Sequence, residues 1–178
     1  MTNQVHDGAP RPQAADLARQ WAARAVLGIA GESGGQVVHR PVFRDRPDLN
    51  LKLTTAEPMA GLRAAAGLKQ ATRQLLLDYV RYAREDSHPW RDIGLGLGYS
   101  DDPDSGISAA DAAYDFAAGT ISAWRSFAWT CQHCRATIID RGPEAGHPAD
   151  CEEGHTDDCA RLAAEVTAWT AIWDEVDR

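Results

Sequence analysis

Four residues between positions 131 and 159 restrict this chain more than any other feature: Cys131, Cys134, His155 and Cys159. They fall into two close pairs, Cys131-x2-Cys134 and His155-x3-Cys159. A structural zinc ion takes four nitrogen or sulfur ligands in a tetrahedron, and folds commonly supply them as two such pairs. The first pair lies between two β-prone stretches, the one ending at Thr130 and the one at Thr137-Ile138-Ile139, so a knuckle between strands would turn both thiolates toward one point. The second pair precedes Leu162, Val166, Trp169 and Trp173, whose spacing predicts a C-terminal helix. Residues four apart at a helix start share a face, so the imidazole and thiolate would converge. Cys151 and His147 complicate the choice, because Cys151, His155 and Cys159 are all spaced by four; Cys151 with His155, or Cys151 with Cys159, is the alternative pair.

Other cysteine chemistry fits less well. A thioredoxin-like redox pair sits at a helix N-terminus, whereas Cys134 is followed by Ala136-Thr137-Ile138-Ile139. Covalent haem attachment needs His directly after the second Cys, and Arg135 stands there. Four protein ligands leave no coordination position for water, so the expected Zn2+ is structural and the protein is not expected to be an enzyme. No G-x-S-x-G, P-loop or H-E-x-x-H pattern is present. No stretch reaches the roughly 20 apolar residues of a membrane span, and the first thirty residues lack a signal-peptide layout, which together predict a cytoplasmic protein.

The rest of the 178-residue chain predicts mainly α structure with a small β component. Residues 1–12 read as a loose tail. Residues 13–56 read as a helix containing Leu17 and Trp21, stopped by glycines at 31–35, then a hairpin or extended arm through Val37-Val38, Val42-Phe43 and Leu49-x-Leu51-x-Leu53. Pro41 and Pro47 confine that arm to edge strands. Residues 57–126 read as three helices. The first starts near Glu57 and Pro58 and carries the stripe Leu68, Ala71, Leu75, Tyr79 and Tyr82, widened by Leu76, Val80 and Ala83 toward a buried face. A short helix from Pro89-Trp90 to Leu97-Gly98 follows, and Ser108 caps a third, Ala109–Ala118, with Asp111 as its acidic partner. Residues 127–178 read as a zinc-binding, zinc-finger-like ββα module with a C-terminal helix.

Trp90-x-x-Ile93-Gly94-x-x-Leu97-Gly98 resembles the second helix and turn of bacterial helix-turn-helix regulators, in the form common among actinobacterial proteins. The resemblance covers about 50 residues, up to Gly119. It implies that Trp90, Ile93 and Leu97 pack on the preceding helix, that Gly98 makes the turn, and that the next helix enters the major groove of DNA. Arg91 and Ser108 are then the nearby candidates for contacting nucleic acid, with Arg40, Arg44, Arg46 and Lys52 as a second cluster. The chain departs from that pattern by inserting residues 99–107 before the third helix, which offers Asp111 and Asp115 but no Arg or Lys. Net charge is −8, with eleven acidic against four basic residues from 131 onward, and duplex phosphates would repel such a surface. The expected function is therefore a zinc-stabilised DNA-binding or transcription-regulatory protein, the alternative being a zinc-containing adaptor whose partner is another protein or a second copy of itself.

Overall fold

The computed structural model describes residues 12–42, 51–102, 104, 106–119, 125–143 and 146–176; the side chains of residues 12–13 and 172–176 lie outside that description. Residues 1–11, Phe43, Arg44, Arg46, Pro47 and Leu49 are likewise outside it. The chain divides into two compact units, one from Ala9 to Leu76 and one carrying Leu77 onward. The division falls within a single helix.

In the first unit, α1 (Pro12–Glu32) leads to the antiparallel pair β1 (Val37–Pro41) and β2 (Lys52–Ala56), joined in the register Val37 to Ala56 and Pro41 to Lys52. With only two strands both are edges, so Pro41 removes no ladder bond from a sheet interior. Helix α2 (Pro58–Glu85) follows. Glu57 starts it by accepting from the backbone N–H groups of Met59 (3.0 Å) and Ala60 (2.9 Å), two of the donors a helix start leaves unpaired. The unit's buried cluster is made of alanines, Ala30, Ala56, Ala60 and Ala64, flanked by Val26 and Leu27. Such small side chains let backbones approach but remove little apolar area from water. Leu17 and Trp21 of α1 remain exposed, Trp21 by 70%.

The second unit holds the end of α2, α3 (Trp90–Leu97), α4 (Ala109–Ala118), β3 (Phe127–Thr130), β4 (Thr137–Asp140), the single-turn α5 (Pro148–Cys151), the short β5 (Glu152–Glu153) and α6 (Ala160–Val176). The strands form one antiparallel sheet in the order β3-β4-β5. The expected two strands and helix are thus joined by a third strand and a helical turn. Gly98 closes α3 in the left-handed region (φ 90°), donating to the Gly94 and Leu95 carbonyls. Ser108 opens α4 with a reciprocal capping box: its Oγ accepts from the Asp111 N–H (3.1 Å), and the Asp111 carboxylate accepts from the Ser108 N–H (3.1 Å).

One core joins α2, α3, α4, β3, β4 and the start of α6. Val80, Trp90, Ile93, Ala113, Tyr114, Phe127, Trp129 and Ile138 are buried together with Cys131 and Cys159. The Trp90 ring meets Tyr114 and Phe127 edge-on, at centroid distances of 5.3 and 5.6 Å. Among the described residues, the buried apolar side chains of the C-terminal module belong to the same core as those of the helices.

The buried side of α2 matches the expected one only at Val80 and Ala83. Val80 is 2% exposed and Arg84 is buried, but Leu75, Tyr79 and Tyr82 face solvent, Tyr79 by 62%. Hydrophobic periodicity favoured the stripe opposite Arg84; the fold buries Arg84 instead because carboxylates and aromatic rings await its guanidinium.

Candidate metal centre

Cys131 directly follows β3 and Cys134 lies in the turn that leads to β4. That turn is held by Cys131 donating to the Ala136 carbonyl (2.9 Å) and Arg135 donating to the Cys131 carbonyl (2.8 Å), with Arg135 at φ 61°. His155 follows β5, and Cys159 directly precedes α6, its carbonyl accepting from Ala163 (3.0 Å). The second pair therefore converges through a turn before the helix, where Cys159 donates to the Thr156 carbonyl (3.0 Å), and not along a helical face.

One ligand atom from each of Cys131, Cys134, His155 and Cys159 lies within 4.8 Å of all the others. The Cys131 and Cys159 sulfurs are 3.8 Å apart, and the Cys134 sulfur is 3.5 Å from His155 Nδ1. A tetrahedron with zinc–sulfur bonds near 2.3 Å and zinc–nitrogen bonds near 2.0–2.1 Å has S–S edges of about 3.8 Å and S–N edges of about 3.5–3.6 Å. The residues therefore fit such an ion. All four cysteines are free thiols, and the two buried sulfurs lie well beyond the ~2.05 Å of a disulfide.

The protein prepares the thiols unequally. Burial pushes the Cys131 thiol up, against the N–H groups of Cys134 and His133. Burial also opposes ionisation of Cys134, but the N–H groups of Thr156 and Ala136, with His155 and Cys131, outweigh it and bring the thiol down to about 6. N–H groups aimed at sulfur favour thiolate, the form that binds metal.

The two rival ligands are engaged elsewhere. Cys151 ends α5, its sulfur 3.6 Å from the Gly146 carbonyl. His147 caps α5 by accepting from the Ala149 N–H (3.2 Å), and its ring packs edge-on against Trp169.

Behind the cluster lies a buried ionic network that sequence reading missed, since no local motif links its members. Glu152, Asp140, Arg84 and Arg161 are all buried. Asp140 accepts from Arg84 Nε (3.0 Å), Trp90 Nε1 (3.1 Å), Trp129 Nε1 (3.2 Å) and the Gly142 N–H (2.9 Å). Glu152 accepts from Arg161 and from Arg84, and Arg84 also reaches the His88 carbonyl (2.7 Å). The Arg161 guanidinium lies 4.4 Å from the Trp129 ring centroid. Among the described residues no buried side-chain nitrogen or oxygen lacks a partner. A fully bonded network of this kind avoids the several kcal/mol that an unpaired buried ion would cost. The signal for it was available only as scattered letters, because its members lie up to 77 positions apart.

The nucleic-acid candidates occupy other surroundings. Exposed Arg91 pairs with Asp101 (2.8 Å), and Ser108 is committed to the α4 cap. Asp115 on α4 pairs with Arg125. Arg40 and Lys52 are exposed on the hairpin.

Taken together, these features define a small, mainly helical protein with a three-cysteine, one-histidine cluster able to hold a metal ion, and none of its described helices is long and apolar enough to cross a membrane. No family model, no curated protein and no solved structure matches the chain.

Proposed function

We propose that this chain is a binding protein braced by a structural zinc ion, acting through recognition of another protein. The observation that carries the zinc reading is the convergence of Cys131, Cys134, His155 and Cys159 within 4.8 Å of one another, with the Cys131–Cys159 and Cys134–His155 separations at tetrahedral edge lengths. Four protein donors complete a zinc shell, which suits a stabilising ion better than a catalytic one. Recognition of protein is supported by large apolar side chains left in solvent on α2, among them Leu75, Tyr79 and Tyr82. Zinc analysis of the purified chain tests the first part: about one ion per chain is expected, and a metal-free, folded protein overturns it.

A DNA-binding regulator is the second reading. It is favoured by the close packing of α3 on α4, with Trp90 against Tyr114 and Gly94 against Ala109, although the resemblance places Trp90, Ile93 and Leu97 on the preceding helix. The acidic, capped start of α4 weighs against groove reading by that helix, since Asp111 would meet phosphate or base acceptors with like charge. A mobility-shift screen at low salt, using the upstream region of the protein's own gene, separates the two. Salt-dependent retardation supports the regulator, and none supports the protein-binding module.

A further inference from the structure

We propose that Glu152 is the positioning residue of the metal centre, fixing which nitrogen of His155 meets the ion. This rests on reading the four-residue cluster as a metal site. His155 Nε2 is 3.0 Å from Glu152 Oε2, while Nδ1 on the other side of the ring is 3.5 Å from the Cys134 sulfur. A neutral imidazole has one N–H and one lone pair. With the proton on Nδ1, the Nε2 lone pair would oppose a carboxylate oxygen at 3.0 Å and the cluster-facing nitrogen would be blocked. With the proton on Nε2, the ring donates to Glu152 and turns its lone pair toward the sulfurs. Arg161 Nη1 also lies 3.4 Å from Nε2, but the same atom is 2.5 Å from Glu152 Oε2. The shorter, charge-assisted contacts set the arrangement.

Glu152 can act this way because it is itself held. Its Oε1 accepts from Arg161 Nη2 (3.1 Å) and from Arg84, and its backbone pairs with Asp140 across β4 and β5. Arg84 is in turn fixed by Asp140. The chain of contacts runs from α2 and β4 through Glu152 to the ring, so the ion's only nitrogen ligand is aimed by residues that never touch it. A metal-bound histidine steadied by a carboxylate gains both orientation and basicity.

The test uses the full-length zinc-loaded chain. Long-range proton–nitrogen NMR correlations of wild-type His155 should place the proton on Nε2 and the metal on Nδ1. Chelator competition at fixed pH should show Glu152→Gln binding zinc about 10–100-fold more weakly, with Glu152→Asp recovering part of the loss. A proton on Nδ1 overturns the proposal, as does unchanged affinity in Glu152→Gln. Should that variant not fold, the wild-type spectrum decides alone. A wild-type chain that takes up no zinc overturns the metal reading itself, whereas zinc uptake with the opposite tautomer overturns only this inference.

Discussion

Gly94 of α3 approaches the backbone carbonyl of Ala109 in α4 so closely that a methyl group on its Cα would overlap both the carbonyl carbon and its oxygen. The glycine in the Trp90-x-x-Ile93-Gly94 run is therefore a requirement of helix crossing. Gly94→Ala gains about 1 kcal/mol of helix preference. It also meets rigid backbone, where overpacking costs about 1–3 kcal/mol or more. Net destabilisation is expected as a lower urea midpoint; an unchanged or higher midpoint would show that the helices separate freely.

Removing the metal should loosen the second unit. Cys131→Ser deletes a fully buried ligand, so the variant should retain no stoichiometric zinc and should melt below the wild type. Adding a strong chelator should lower the wild-type melting temperature toward that of the variant and leave the variant where it is. Equal melting temperatures for zinc-loaded and stripped wild type would contradict a structural role.

Arg84→Met retains most of the side-chain volume but strips Asp140 and Glu152 of a shared cation. Breaking a buried pair on one side costs about 3–5 kcal/mol, because the remaining charge has lost its partner. Equilibrium denaturation should register a loss of that order. A change below about 1 kcal/mol, the range of exposed pairs, would mean that solvent reaches the carboxylates.

Glu57 makes the start of α2 sensitive to acid. The Met59 and Ala60 N–H groups hold its carboxyl below the ordinary value of 4.5. A depressed folded value means that the cap contributes fully above about 4.5 and is lost as pH falls through the folded value. Hydrogen exchange at Met59 and Ala60 should therefore be faster in Glu57→Ala than in wild type at neutral pH, with the two converging in acid once exchange is corrected for its intrinsic pH dependence. A difference that persists in strong acid would assign the effect to something other than the carboxylate.

Features specified by neighbouring residues were legible in the sequence. The cap of α4 by Ser108 and Asp111, the stop at Gly98 and the knuckle of Cys131 and Cys134 between strands follow from short spacings, and the structure places them accordingly; His155 and Cys159 do join that knuckle, but through a turn that their equal spacing from Cys151 does not single out. The buried side of α2 was legible only at Val80 and Ala83. Periodicity scores arginine as solvent-facing, so Arg84 pointed the reading toward Leu75, Tyr79 and Tyr82. Its carboxylate partners stand 56 and 68 positions later, where no local pattern links them to α2. The strand at Glu152 and Glu153 was hidden for the same reason: two acidic residues before a glycine look like a loop until Asp140 is set beside them. The expected side chain of Trp173 lies outside the described residues.

The shared core makes the segment that carries the Cys131, Cys134, His155 and Cys159 cluster a poor candidate for transplantation. Cut from the chain at Phe127, it would carry all four cluster residues yet leave behind Val80, Arg84, Trp90 and Tyr114, so Trp129 and Ile138 would open to water and the Asp140 carboxylate would forfeit two of its donors. Gene fusions, proteolytic fragments or designed grafts that borrow only the ligand-bearing stretch would inherit a binding motif without the scaffold that keeps it in shape.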